Sequence, residues 1–93
     1  MKVVESGSFK QFTGSTQVAT GGGDMIGIMA ASASSTPTIK VEDKVFGGVS
    51  ETIVNTFTPV SGVYYPIPAK YSRGLYVTLS GTVDCTVFYS DNS

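Results

Sequence analysis

The sequence predicts an all-β domain, an antiparallel β-sandwich of jelly-roll style with about seven or eight short strands. Three observations predict it. Of the 93 residues, 28 are Val, Ile or Thr and only two are Leu, and β-branched side chains suit a pleated strand better than a helix. Clusters of Gly, Pro and Ser punctuate the chain about every ten residues, the spacing of short strands and tight turns. From Gly74 to Tyr89 apolar and polar residues alternate on both sides of Ser80-Gly81, which fits two half-buried strands joined by a two-residue turn with glycine at positive φ.

The elements follow in order. Phe9 to Phe12 and Ser15 to Thr20 read as early strands, parted by Thr13-Gly14 and closed by Gly21-Gly22-Gly23. Asp24 could cap a short helix, but Gly27 between Ile26 and Ile28 disfavours one, so Asp24 to Ala33 is expected to be a central strand buried on both faces. Ser32 to Thr36 reads as a polar loop. After Pro37 a half-exposed strand is expected, with Ile39 and Val41 inward and Thr38, Lys40 and Glu42 facing water. Glu42-Asp43-Lys44 reads as a solvated turn, and Val45-Phe46 as a short pairing segment ended by Gly47-Gly48.

Glu51 to Thr58 is the next strand, with Ile53, Asn55 and Phe57 on one face and Val54, Thr56 and Thr58 on the other. Pro59 to Gly62 has turn chemistry. Pro66 and Pro68 remove two ladder donors, so the segment from Val63 belongs at a sheet edge or in an extended loop. In the final pair of strands Leu75, Val77 and Leu79 share one face, and Val83, Cys85, Val87 and Tyr89 one face of the partner. Asp91-Asn92-Ser93 reads as a polar tail. Residues 1–13 are thus taken as an N-terminal strand or arm and 14–93 as one β-sandwich domain.

A chain of this length buries only roughly 60–65% of its unfolded surface, enough for one thin core. The formal net charge of −1 offers no field to gather phosphates or an anionic membrane, so neither nucleic acid nor a membrane is an expected partner. No run approaches the roughly 18 apolar residues of a membrane-spanning helix, and Glu5 interrupts the first apolar residues before a signal segment forms; synthesis in the cytoplasm is expected. Charged residues are 14% of the chain, below the roughly 25% common in soluble domains, a composition suited to a surface covered by neighbours in an assembly and equally to a polar binding face.

The chain has no His and one Cys. Histidine-based triads and imidazole-ligated zinc are therefore beyond it, and no catalytic, cofactor or metal residue is assigned. Paired carboxylates for glycoside hydrolysis would have to come from Glu5, Asp24, Glu42, Asp43, Glu51, Asp84 and Asp91, whose spacing singles out no pair. Gly21-Gly22-Gly23-Asp24 lacks the helix and lysine of a phosphate loop and reads as a strand connection. Cys85 is expected to be a buried small apolar side chain. The residues left for function are those suited to contact: Tyr64, Tyr65, Tyr71 and Tyr76, with Thr78, Asp84 and Thr86 on the outward faces of the last strands. Aromatic faces beside polar groups also stack on sugars, so Tyr64, Tyr71 and Tyr76 give an alternative reading, a glycan- or receptor-binding module of a tail or fibre.

The segments Gly14-Ser-Thr-Gln-Val18, Ala31 to Val41, Ile53-Val-Asn-Thr-Phe-Thr-Pro59 and Gly74 to Val87 give the chain a resemblance to small β-rich structural proteins of tailed bacteriophages, similar in size and style to head decoration or cement proteins. The likeness runs from Gly14 onward and rests on strand and turn patterns without catalytic content. It implies a non-enzymatic virion component on the capsid surface, bridging the major capsid protein or other virion proteins and forming a homo-oligomer, with a trimer at local symmetry axes as one form. Residues Met1 to Lys10 offer an arm that could pair with another chain by strand addition, or an ordinary first strand.

Overall fold

The computed structural model describes residues 8–45 and 48–91. The chain is all-β and antiparallel, as expected. Among the described residues six strands form one sheet: β1 (Ser8–Phe12), β2 (Thr16–Thr20), β3 (Gly23–Asp43), β4 (Glu51–Phe57), β5 (Val63–Tyr71) and β6 (Gly74–Asp91). Two of them, β3 and β6, are long and bent, and they pair with each other on both sides of the bend.

Residues Gly23 to Ser34 of β3 pair with Thr82 to Asp91 of β6, and Thr38 to Asp43 pair with Leu75 to Ser80. Four short strands flank this frame. β1 lies against the C-terminal half of β6 in an unbroken register from Ser8↔Tyr89 to Phe12↔Cys85, and β2 lies against the N-terminal half of β6. β5 pairs with the first half of β3 and β4 with its second half. The result is two four-stranded layers, β1-β6-β3-β5 and β2-β6-β3-β4, that share their two middle strands.

Strands that pass from one layer to the next turn the corner at bends or bulges. Here β6 turns at Gly81, whose φ is 79°, and β3 turns opposite it at Thr36, whose φ is 50°, where the pairing skips from Ser34↔Thr82 to Thr38↔Ser80. The sheet curls across this corner into a half-barrel, and the inner sides of both layers meet in a single apolar cluster. Ile28, Ala30, Val83, Cys85 and Val87 come from one layer and Ile39, Val41, Leu75 and Val77 from the other, all fully buried. Each Val, Leu or Ile so placed contributes roughly 1.5–3 kcal/mol relative to exposure.

Several sequence expectations change. Ser80-Gly81 is a bend within one strand, not a hairpin turn: the residues on its two sides pair with β3 and not with each other. The inward faces expected there are nonetheless observed, because the alternation continues through the bend. Likewise Ser32 to Thr36 is the corner of β3 and not a loop, which joins two expected strands into one. The segment 24–33 is buried on its inner face only, since Asp24 and Ile26 are exposed and no second layer among the described residues covers the outer side.

Glu42 and Asp43 end β3 at 6% exposure, so the expected water-facing Glu42 and solvated 42–44 turn are replaced by a buried ionic end. In β4 two register shifts break the alternation, and both Val54 and Phe57 lie opposite core residues of β3, Val41 and Ile39. β5 carries Pro66 and Pro68 at an edge, as expected. Asp91 belongs to β6 rather than to a tail. Residues 1–7 of the expected strand or arm, Phe46 of the short pairing segment, Gly47 and the tail residues Asn92 and Ser93 lie outside the described residues, while Ser8–Phe12 form β1.

Candidate functional site: an aromatic row and a polar lock

Register places three aromatic side chains side by side on the outer face of the first layer. On β6 the core takes Val83, Cys85 and Val87, so Asp84, Thr86 and Phe88 point outward. Phe9 is paired with Phe88 on that face and is 69% exposed. Opposite Phe88 on the other side stands Gly27, where an added Cβ would run into the ring and hydroxyl of Tyr64. The Tyr64 ring therefore reaches from β5 back across β3 and occupies the space a side chain at 27 would fill. It meets Phe88 edge to face with ring centroids 6.1 Å apart and keeps 41% of its surface exposed.

A polar pair adjoins the row. The Gln11 amide donates to Asp84 Oδ1 at 2.7 Å, and Thr86, paired with Gln11, sits between this pair and Phe88 along β6. Side chains on one strand of this edge and the next thus offer aromatic surface, an amide, a carboxylate and a hydroxyl on one face.

The contact residues expected from sequence separate into different environments. Tyr64, Asp84 and Thr86 come together on the outer face just described. Tyr76 and Thr78 lie on the outer side of the other half of β6, beyond the bend; Tyr76 is half-buried with the Lys44 ammonium 4.8 Å above its ring. Tyr71 is 1% exposed in the core, and its hydroxyl donates to the Ser90 carbonyl at 3.4 Å. It is withdrawn as a contact or sugar-stacking residue because β5 turns it inward at the end of the strand. Tyr65 faces the core, edge to face with Phe57, and its hydroxyl accepts the Val60 N–H at 2.8 Å. Phe9 and Phe88 were not among the expected residues; the β1-β6 pairing that unites them joins positions far apart in the chain.

At the opposite end, the β5-β6 turn is bound to the end of β3 through Asp43. Its carboxylate accepts the N–H groups of Ser72 at 3.1 Å, Arg73 at 2.8 Å and Gly74 at 3.2 Å, and the Ser72 hydroxyl at 3.3 Å. Burial alone would push this carboxyl up, but the three backbone donors and the hydroxyl outweigh it and hold the group below its ordinary value. Arg73 reaches both Asp43, at 3.8 Å, and Glu51, at 3.7 Å, and its exposed guanidinium adds only a screened attraction. Beside it Gln17 donates to the Lys44 carbonyl at 2.8 Å and the Ala19 carbonyl at 2.9 Å, and Lys40 and Lys44 flank Glu42. Among the described residues no buried side-chain nitrogen or oxygen lacks a hydrogen-bond partner, which is the arrangement of a structural lock.

Cys85 is fully buried with its Sγ 3.8 Å from the Phe12 carbonyl. Burial, with the Asp84 charge next to it, pushes the thiol up to about 12. Among the described residues no three His, Cys, Asp or Glu side chains gather as metal ligands, and no helix is long and apolar enough to cross a membrane.

Comparison with protein-family models, with curated proteins and with solved structures finds no match.

Proposed function

We propose that this chain is a non-enzymatic structural protein of a bacteriophage virion, a decoration or cement protein that bridges capsid subunits at the capsid surface and associates with copies of itself. The sequence resemblance suggests the setting. The observation that carries the contact mechanism is the edge of β1. It pairs with β6 through all five residues without a register shift, and among the described residues no strand takes its other side.

The remaining edges are guarded in the ways sheet proteins commonly use. β5 has two prolines, while β2 and β4 carry register shifts. An extended segment of a neighbouring virion protein added to β1 would continue the β1-β6-β3-β5 layer through backbone hydrogen bonds. Because β6 runs through both layers, such a contact would be anchored in the whole fold.

Mass spectrometry of purified virions should find the chain at high copy number, and its absence from particles would overturn the reading. Particles lacking it should rupture at lower temperature or lower internal pressure than complete ones; equal resistance would argue against cementing.

A further inference from the structure

We infer that the outer face of the β1-β6-β3-β5 layer binds a neutral oligosaccharide, with Phe9, Phe88 and Tyr64 as a stacking platform and Gln11, Asp84 and Thr86 as hydroxyl partners. This goes beyond the virion role and stands on the isolated protein, since it uses the sheet face and not the β1 edge.

The three residues come from different strands and are brought to neighbouring positions on one face. Phe9 and Phe88 are cross-strand neighbours, and Tyr64 crosses β3 to reach Phe88 over Gly27. Neighbouring strands are about 4.8 Å apart, so the row spans about 10 Å, the length of about two pyranose rings laid across the strands. Exposed aromatic faces take the apolar C–H face of a sugar. Tyr64 is placed for this by the glycine beneath it, which lets the ring lie close to the sheet.

The polar pair supplies what stacking lacks. Gln11 uses one amide hydrogen on Asp84 Oδ1, and its carbonyl oxygen, its second amide hydrogen and Asp84 Oδ2 are the groups offered to a ligand. Two acceptors and a donor suit sugar hydroxyls, each of which donates and accepts.

Size favours a sugar over a second copy of the chain. Aromatic side chains cover about 150–250 Å² each when wholly buried, and these three already spend part of that on the sheet. The remaining patch is a few hundred Å², below the roughly 800 Å² per partner of a stable protein interface. With a carboxylate as the only charged group in the row, an anionic glycan is disfavoured.

Amide NMR titration of the full chain with cellohexaose, chitohexaose and maltohexaose tests the inference, together with an array of neutral glycans to find others. Expected are shifts centred on residues 9, 11, 64, 84, 86 and 88, with binding roughly tenfold or more weaker in Phe9→Ala and in Tyr64→Ala, the size of losing one stacked ring. Val49→Ala, which trims an exposed apolar side chain outside this face, should bind as the parent does. Phe9 lies on an exposed edge strand, so Phe9→Ala keeps the native amide spectrum and remains informative if Tyr64→Ala does not fold. No shift with any of the three and no array signal, binding unchanged in Phe9→Ala, equal loss in Val49→Ala, or binding confined to charged glycans would each overturn it.

Discussion

Asp43 shows how one residue can gain a role that its neighbours in sequence do not announce. In the chain it stands between Glu42 and Lys44, a setting that reads as solvated; in the fold it receives three consecutive N–H groups from a turn about thirty residues away. Because these bonds favour the ionised form, its folded pKa lies below the ordinary 3.8. The stabilisation is complete at pH values above that ordinary value and is lost as the pH falls through the folded one. Urea unfolding from neutral to acid pH should show stability declining below about pH 4. Asp43→Asn should start about 1–3 kcal/mol lower at neutral pH and lose less on acidification. Gly27 is a second such position. Gly27→Ala would lift the Tyr64 ring from the sheet; as that ring is part-exposed and can swing away, melting should change by no more than about 1.5 kcal/mol, whereas the near-UV dichroism of the Tyr64-Phe88 pair should change clearly.

At the scale of elements the corner decides the fold. An L-residue held in the left-handed region costs roughly 1–2 kcal/mol, a cost glycine escapes. Gly81→Ala should therefore lower the unfolding free energy by about that much, and Thr36→Gly, at the matching bend of β3, should raise it or leave it unchanged, both read from denaturant melts. The same corner marks how far the sequence could be read. Alternation identified every inward residue of 75–87, because side-chain direction depends only on the local pleat. It did not distinguish a turn from a bend at Ser80-Gly81, since glycine at positive φ serves both and only the pairing partner differs. Proline identified β5 as an edge for a local reason, the missing N–H. The aromatic row was half legible: Tyr64 stood out as a contact residue and Asp84 and Thr86 as outward, but Phe9 and Phe88 are brought together by a register between residues nearly eighty positions apart, about which local pattern is silent.

The whole molecule is tied by β3 and β6, which pass through both layers and contribute to one core cluster. Neither layer can open alone without breaking this pair, so unfolding is expected to be a single transition. Cys85 gives a direct measure: buried at the centre of β6 with its thiol pushed up to about 12, it should resist alkylation in the native state. Its labelling rate should track the global unfolding free energy across denaturant; fast labelling in native buffer would show that the frame opens locally. The pairing of Ser8 with Tyr89 has a mechanical consequence. Ser8 and Tyr89 face each other on adjacent antiparallel strands, so a pull applied between these two residues bears on the β1-β6 ladder one rung at a time, and on the β3-β6 ladder from the same end of β6. The same arrangement lets the segment from Ser8 to Tyr89 be carried as an insert: a host loop opened at a single point would accept it with little separation of the loop's own ends.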